Sequence, residues 1–320
     1  MSDKPGTQKI LYVVSPRGWC AGVKRAIGVL EKALEKSKDQ IYVRHEIVHN
    51  KAVVESFKKM GVIFADNIEA VPEESLIIFS AHGAAPGVYK QAEIKNLKII
   101  DATCPLVTKV HTEVRNFAKK GYHILYIGHK KHEEAVGVYG ENPENISIIE
   151  TETDARKWQA PDKFSKAQFC VLTQTTLSII DAQKIIAVLK ERFPEIILPK
   201  REDICYATTN RQNAVRSLVN TKRIGMLYVI GSKNSSNSNR LREVSESIGV
   251  KAKLIDSETD IIPEDFLKAQ RIGLTAGASA PEDIVERVSA YFTKAGYTTE
   301  EVSFADENVS FALPREIYNL

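Results

Sequence analysis

Three times along this chain, at intervals of about a hundred residues, an apolar β-rich run gives way to a polar loop and then to a helix-like segment. The three are "KILYVVSPRGWCAGVKRAI", "HILYIGHKKHEEAVGVYG" and "GMLYVIGSKNSSNSNRLREV". A second set repeats the order: "LIIFSAHGAAPGVYKQAEI", "FCVLTQTTLSIIDAQKIIAVL" and "RIGLTAGASAPEDIVERVSAYF". Strands that alternate with helices predict βαβ units and a largely parallel sheet in each third. Right-handed crossovers then gather the polar loops at the carboxyl edges of the sheets. The expected architecture is α/β, with three similar βαβ-type domains whose polar loops face a common centre. The expected domains are 1–103, 104–201 and 202–299, with a C-terminal tail over 300–320 packing back onto the first.

Three hundred and twenty residues suit this number of domains, and no linker rich in Ser or Pro separates them. The chain is 43% hydrophobic and 27% charged, as a soluble globular protein should be. Its net charge of +3 comes from interspersed basic and acidic residues. No basic stripe suggests nucleic acid. No apolar run approaches the roughly 20 residues of a membrane span. The opening "MSDKPGTQ" lacks an apolar signal core, so a cytoplasmic address is expected.

There are four cysteines, Cys20, Cys104, Cys170 and Cys205, with no CxxC among them. Disulfides are not expected in a reducing compartment, and scattered cysteines are by default small buried hydrophobes. Cys170, inside "AQFCVLTQ", reads that way. The other three share one setting. Cys20 stands where a strand meets a helix, Cys104 is placed to cap the helix that Pro105 opens, and Cys205 precedes a helix-like run. There the helix dipole and free N–H groups favour a thiolate. A structural zinc wants a fourth ligand and paired short spacings, which are missing. An iron–sulfur cubane normally takes four cysteines, and three leave one iron without a protein sulfur.

The other carboxyl-end loops carry short polar side chains. They offer His49, His82, and His132 with Glu133 and Glu134. They also offer Thr175, Thr176, Ser235, Ser236, Asn237 and Ser279. Hydroxyl, amide and imidazole donors at helix starts suit phosphate oxygens. Any one alone is an ordinary turn or cap residue. Neither a Walker A pattern nor G-x-G-x-x-G occurs, so a small phosphorylated ligand is favoured over a nucleotide. His45, His111, His123 and His129 read as structural. His45 is the least secure of these, because a shared strand would turn it to the face of His49.

The pieces "GWCAGVKRAI", "EIVHN", "SAHG", "DATCPLV", "TQTTLS", "DICYATTNRQ", "VIGSKNSSNSNRL" and "TAGASAPE" run in order from about residue 11 to the tail. In these the chain closely resembles the 4-hydroxy-3-methylbut-2-enyl diphosphate reductase family. The resemblance implies reductive removal of an allylic hydroxyl, with two electrons and two protons, giving isopentenyl and dimethylallyl diphosphate. This is the final step of the methylerythritol phosphate route to isoprenoids. It implies a [4Fe–4S] cluster on Cys20, Cys104 and Cys205, with one open iron. It implies a diphosphate held by His49, His82, His132, Ser235, Ser236, Asn237 and Ser279, with Thr175 near the substrate hydroxyl and Glu134 as the proton source. It also implies a small ferredoxin or flavodoxin as electron donor. The family usually shows a "GHxGHPEVxG" run. Here "GHKKHEEAVG" carries Lys131 for Gly and Glu133 for Pro, and Trp19 replaces the usual Phe.

Two rivals share an iron–sulfur centre. An iron–sulfur hydro-lyase removes hydroxide with no net electron flow and needs no reductant. An iron–sulfur redox sensor has no need of hydroxyl-rich anion loops.

Overall fold

The computed structural model describes residues 8–164, 168–199 and 202–320. The opening "MSDKPGT" and Arg201, at the expected boundary of the second and third domains, lie outside these. The first half of the chain runs β1 (Ile10–Ser15), α1 (Ala21–Lys36), β2 (Ile41–Arg44), α2 (Lys51–Lys59), β3 (Ile63–Ala65), β4 (Leu76–Phe79), α3 (Pro86–Ile94), β5 (Lys98–Asp101), α4 (Pro105–Lys119), β6 (His123–Ile127) and α5 (Glu133–Tyr139). The second half runs β7 (Ile146–Ile149), α6 (Glu152–Lys157), β8 (Phe169–Thr173), α7 (Ile179–Arg192), α8 (Tyr206–Lys222), β9 (Met226–Ile230), α9 (Ser236–Ser247), β10 (Ala252–Ile255), α10 (Pro263–Phe266), β11 (Arg271–Ala276), α11 (Glu282–Lys294) and β12 (Thr298–Ser303).

Among the described residues the strands form three sheets, ordered β10-β9-β11-β1-β12, β3-β2-β4-β5 and β7-β6-β8. Every pairing within them is parallel. That is the expected α/β architecture of three βαβ-type sheets. Parallel strands are covered on both faces, which is why they read as unbroken apolar runs. Residues 226–230, "MLYVI", and 123–127, "HILYI", are buried throughout. Alternation then sorts each run between two cores. In β1, Leu11 and Val13 pack with Val285 and Val288, while Tyr12 and Val14 pack with Ala214 and Leu218.

The chain divides into two compact units, and the division departs from the expected thirds. Of the described residues, one unit comprises those within 8–20, 49–55 and 206–309; the other comprises those within 21–48, 56–205 and 310–320. The first unit holds the five-stranded sheet. β1, expected to open a domain over 1–103, pairs instead with β11 and β12 of the last third. A strand apolar on both faces needs two neighbours and two covering layers. β1 finds them between β11 and β12, under α8 and α11.

The second unit holds the other two sheets. Its core includes Ile77, Phe79 and Ala92 beside the four-stranded sheet, and Ile124, Tyr126 and Leu172 beside the three-stranded one. The tail divides. Residues 298–303 are β12 of the first unit, whereas 310–320 belong to the second. There Arg25 Nε donates to Ala312 O at 2.9 Å, and Lys36 Nζ donates to Tyr318 O at 3.2 Å, so the chain end lies along α1. No helix among the described residues is long and apolar enough to cross a membrane.

Candidate functional site

The sequence-read residues stand where parallel sheets expose backbone groups. Each of seven loops follows the carboxyl end of a strand: Cys20 after β1, His82 after β4, Cys104 after β5, His132 after β6, Thr175 after β8, Ser235 after β9 and Ser279 after β11.

In the first unit, the loop after β11 is the common anchor. Cys20 N donates to Ala278 O at 3.2 Å, and Asn237 Oδ1 accepts from Ala278 N at 2.9 Å. Asn237 Nδ2 reaches Thr208 Oγ1 at 3.5 Å, so this amide bridges two neighbouring elements. Ser279 Oγ donates to His49 O at 2.8 Å. Ser235 caps α9, its hydroxyl oxygen accepting from Ser238 N at 3.3 Å and Ser238 Oγ at 3.0 Å. Ser236 opens the helix and is half-buried. The packing requires glycine at Gly231 and Gly277, since a Cβ at either would collide with Ser238 Oγ. His49, Asn237 and Ser279 are thus joined through the loop after β11, and Ser235 starts the helix that carries Asn237.

A fully buried arginine braces Cys20. Arg211 of α8 donates to Glu307 Oε1 at 2.8 Å and to Gly18 O at 2.8 Å. Gly18, two residues before the cysteine, has φ of 63°, a left-handed conformation that glycine adopts freely. Beside Cys20, the Trp19 indole N–H is buried without a hydrogen-bond partner.

In the second unit, contacts run in a chain from one histidine loop to a cysteine. The His82 and His132 rings meet edge-on, centroids 6.0 Å apart. His132 caps α5, its Nδ1 accepting from Glu134 N at 3.1 Å. That bond places the proton of a neutral His132 on Nε2. Glu134 is buried, 2% exposed, beneath Thr175. Thr175 N donates to Glu134 Oε1 and Thr175 Oγ1 donates to Oε2, each at 2.8 Å. Thr175 O in turn accepts from Cys205 N at 3.1 Å. Cys104 holds the N-cap position of α4 without a side-chain capping bond, and its N donates to Ala81 O, beside His82, at 3.0 Å.

Burial pushes the Glu134 carboxyl up to about 7 from an ordinary 4.5. The two Thr175 bonds and the field of His111 pull it down, and Asp203 pushes it up. The balance leaves a carboxylic acid that holds and releases a proton near neutrality.

Asp203 ties the Cys205 loop to the helix that follows Cys104. Its Oδ1 accepts from Lys109 Nζ at 2.7 Å, and its Oδ2 accepts from Thr173 N at 3.0 Å. Neither Asp203 nor Arg211 was singled out from sequence. Each is a charged residue close to a cysteine, and each is signalled only by burial. Cys170 lies buried in β8 and its thiol is pushed well up by burial, as expected of a core residue. None of the four cysteines forms a disulfide, and Cys20, Cys104 and Cys205 are half-buried.

The structural histidines divide. His111 is buried, with Nδ1 2.7 Å from Glu141 Oε1. His123 packs among Trp158, Phe164 and Phe169, and burial lowers its pKa to about 4. His129 stands near Glu150. His45 does not share a strand with His49: β2 ends at Arg44, and His45 turns away at φ of 55°. Its Nδ1 lies 3.4 Å from Asp66 and 3.8 Å from Glu133. Lys131 is exposed.

The chain matches the family described as LytB protein over residues 11–293. It is 45% identical over 313 residues to the 4-hydroxy-3-methylbut-2-enyl diphosphate reductase of Azoarcus sp. strain BH72, covering 96% of this chain and 97% of that one. It is 47% identical over 306 residues to 4-hydroxy-3-methylbut-2-enyl diphosphate reductase 2 of Burkholderia mallei, covering 95% of this chain and 92% of the relative. Among solved structures, it resembles the E-1-hydroxy-2-methyl-but-2-enyl-4-diphosphate reductase of Plasmodium falciparum with a TM-score of 0.94 and 38% identity over 98% of each chain.

Proposed function

This chain belongs to the LytB family, and from that premise we propose that it is a 4-hydroxy-3-methylbut-2-enyl diphosphate reductase. The reaction cleaves the allylic C–O bond of its substrate. Two electrons and two protons enter, one water leaves, and isopentenyl or dimethylallyl diphosphate remains.

The proposed cofactor is a [4Fe–4S] cluster on Cys20, Cys104 and Cys205. The donor set fits. Three half-buried thiols sit at helix starts, and a buried indole N–H without a partner adjoins Cys20. Inorganic sulfide accepts such N–H groups, and helix starts favour thiolates. When bound, a cluster with one iron lacking a protein sulfur supplies single electrons and a Lewis-acid position.

The remaining work falls to side chains. The proposed diphosphate contacts are His49, His82, His132, Ser235, Ser236, Asn237 and Ser279. His132 suits this role because its Nε2 carries the proton when its Nδ1 takes the Glu134 amide. The proposed proton path is Glu134 to Thr175 to substrate. With Glu134 protonated on Oε2, its O–H donates to the Thr175 oxygen, and the Thr175 hydroxyl is then free to donate onward. Oε1 stays an acceptor, because the Thr175 amide already points at it.

The observation that carries this reading is the buried Glu134–Thr175 pair, poised near neutrality beside a cysteine loop. A small ferredoxin or flavodoxin is the proposed electron donor and the cytoplasm the proposed compartment. The test is anaerobic reconstitution, an iron count, and oxidation of reduced methyl viologen on addition of substrate. About four irons per chain and substrate-dependent oxidation are expected. Conversion without a reductant would instead make the protein a hydro-lyase, and no conversion at all would reject both.

A further inference from the structure

We propose that Glu133 is a positioning residue for the diphosphate site, its carboxylate orienting His82 and holding it as an imidazolium. The inference rests on the reading above, in which His82 binds the diphosphate.

The geometry lies within the second unit. Glu133 Oε2 stands 3.2 Å from His82 Nδ1, and its Oε1 stands 3.8 Å from His45 Nδ1. Ser80 Oγ lies 3.2 Å from the same His82 nitrogen. Glu133 Oε2 thus stands at ion-pair distance from Nδ1, and a carboxylate there favours a proton on that nitrogen. A neutral ring protonated there would present a bare lone pair at Nε2, which cannot bond a phosphate oxygen. A second proton turns Nε2 into a donor, and the adjacent carboxylate stabilises that charged ring.

Consecutive glutamates thus face different surroundings. Glu134 is buried under the Thr175 amide and hydroxyl, whereas Glu133 is partly open and faces imidazoles. Glu133 is the first residue of α5, where a negative charge is favoured.

Other groups act on the pair. His132 meets His82 edge-on from the start of α5. From the end of β2, Arg44 lies in the field of Glu133, and His45 reaches Glu133 directly. Asp66, after β3, competes for His45 at 3.4 Å. His111 of α4 stands behind Gly83, where an added Cβ would come within 3.2 Å of its Nε2. Of these, Glu133 is the group drawn against His82 Nδ1, together with the neutral Ser80 hydroxyl.

A bare carboxylate near a diphosphate would repel it. Positioning and repulsion therefore predict opposite outcomes for Glu133→Gln. The holoprotein is titrated with inorganic diphosphate by calorimetry between pH 6 and pH 8. In parallel, carbon-13-labelled histidine is followed by NMR, with the His82 signal assigned by His82→Gln. In Glu133→Gln the His82 midpoint should fall by about one pH unit. Diphosphate binding should weaken about tenfold at pH 8 and less than about twofold at pH 6. Glu133→Asp, which keeps the charge, should restore most of the loss and guards against a folding artefact. Tighter or unchanged binding at pH 8, or an unmoved His82 midpoint, overturns the inference. If the midpoint moves but the wild-type holoprotein takes no diphosphate at any pH, the reaction reading has failed and the inference falls with it, by a separate signature.

Discussion

Thr175 gives both of its donors to one carboxylate: its amide meets Glu134 Oε1 and its hydroxyl meets Oε2, each at 2.8 Å. A buried carboxylate with two such donors would ordinarily stay charged. Here burial outweighs them, and the group titrates near 7. Hydrogen bonds that lower the pKa and burial that raises it leave an acid matched to neutral pH.

Replacing that acid should be costly for turnover. Glu134→Gln keeps the shape and the acceptor oxygen but has no proton to release. Turnover should fall by about a hundred- to ten-thousandfold, with iron content and diphosphate affinity retained. Steady-state viologen oxidation, set beside an iron assay and calorimetry, checks this. Glu133→Gln should keep far more turnover at pH 6; the reverse ranking would move the acid to Glu133. The pH dependence of stability is a second check. The folded pKa is raised from 4.5 to about 7, so Glu134 contributes stability in full below about 4.5 and loses it as pH rises through about 7. Against Glu134→Gln, the wild type should therefore lose roughly 3 kcal/mol across that window, read from urea unfolding at each pH.

The hydroxyl and the amide of Thr175 are separable. Thr175→Val keeps the amide bond to Oε1 and removes the one to Oε2. One of the bonds that holds the Glu134 pKa down is then gone, so the alkaline limb of the turnover profile should move to higher pH. The rate on the plateau should fall at least about tenfold, because no hydroxyl remains to pass the proton. Thr175→Ser should restore both features. A Thr175→Val profile that keeps the wild-type midpoint would show that the hydroxyl does not act on Glu134.

The thiols make a third contrast. Cys170 is fully buried in β8 and its thiol is pushed well up, so it has no thiolate to offer a metal. Cys170→Ala should leave the iron content unchanged and cost about 1 kcal/mol of stability, as a small core truncation does. Cys104→Ser should lose the brown colour and most of the iron. Iron analysis and the visible spectrum of anaerobic preparations decide it, and a Cys170 variant stripped of iron would contradict the assignment of the ligands.

The local setting of each cysteine was legible in the sequence because strand, loop and helix follow each other within a few residues. Pro105 after Cys104 reads directly as a helix start, and Cys170 reads as core from its apolar neighbours. The placement of β1 was not legible. An apolar strand advertises that it needs partners without naming them, and its partners lie some 260 to 290 positions away. Asp203 and Arg211 escaped for a related reason. A charged residue beside a cysteine looks like surface until distant groups such as Lys109, Thr173 and Glu307 are seen to bury it. Glu134 was assigned through resemblance, and only the packing of Thr175 over it gives a physical reason for its proton. For His45, alternation along a supposed strand misled, because the strand ends one residue earlier at Arg44.

Arg211 is where that hidden layer can be measured. Its guanidinium is fully buried and forks between the Glu307 carboxylate and the carbonyl of Gly18, so it braces the turn that leads to Cys20. Arg211→Met fills the space but leaves the Glu307 charge with the neutral Asn210 amide and frees the Gly18 carbonyl. Removing one partner of a buried pair typically costs about 3–5 kcal/mol, and that loss is expected in urea unfolding. Arg211→Lys retains the charge but cannot span both acceptors, so it should recover part of the stability while leaving the Gly18 link broken. If the link matters only for folding, the lysine variant should hold iron as firmly as the wild type at a denaturant concentration where both are folded. If it positions Cys20, the same variant should release iron faster to a chelator under those conditions. The second outcome is the expected one, because the arginine reaches the backbone two residues from the cysteine and a lysine ammonium drawn to Glu307 does not.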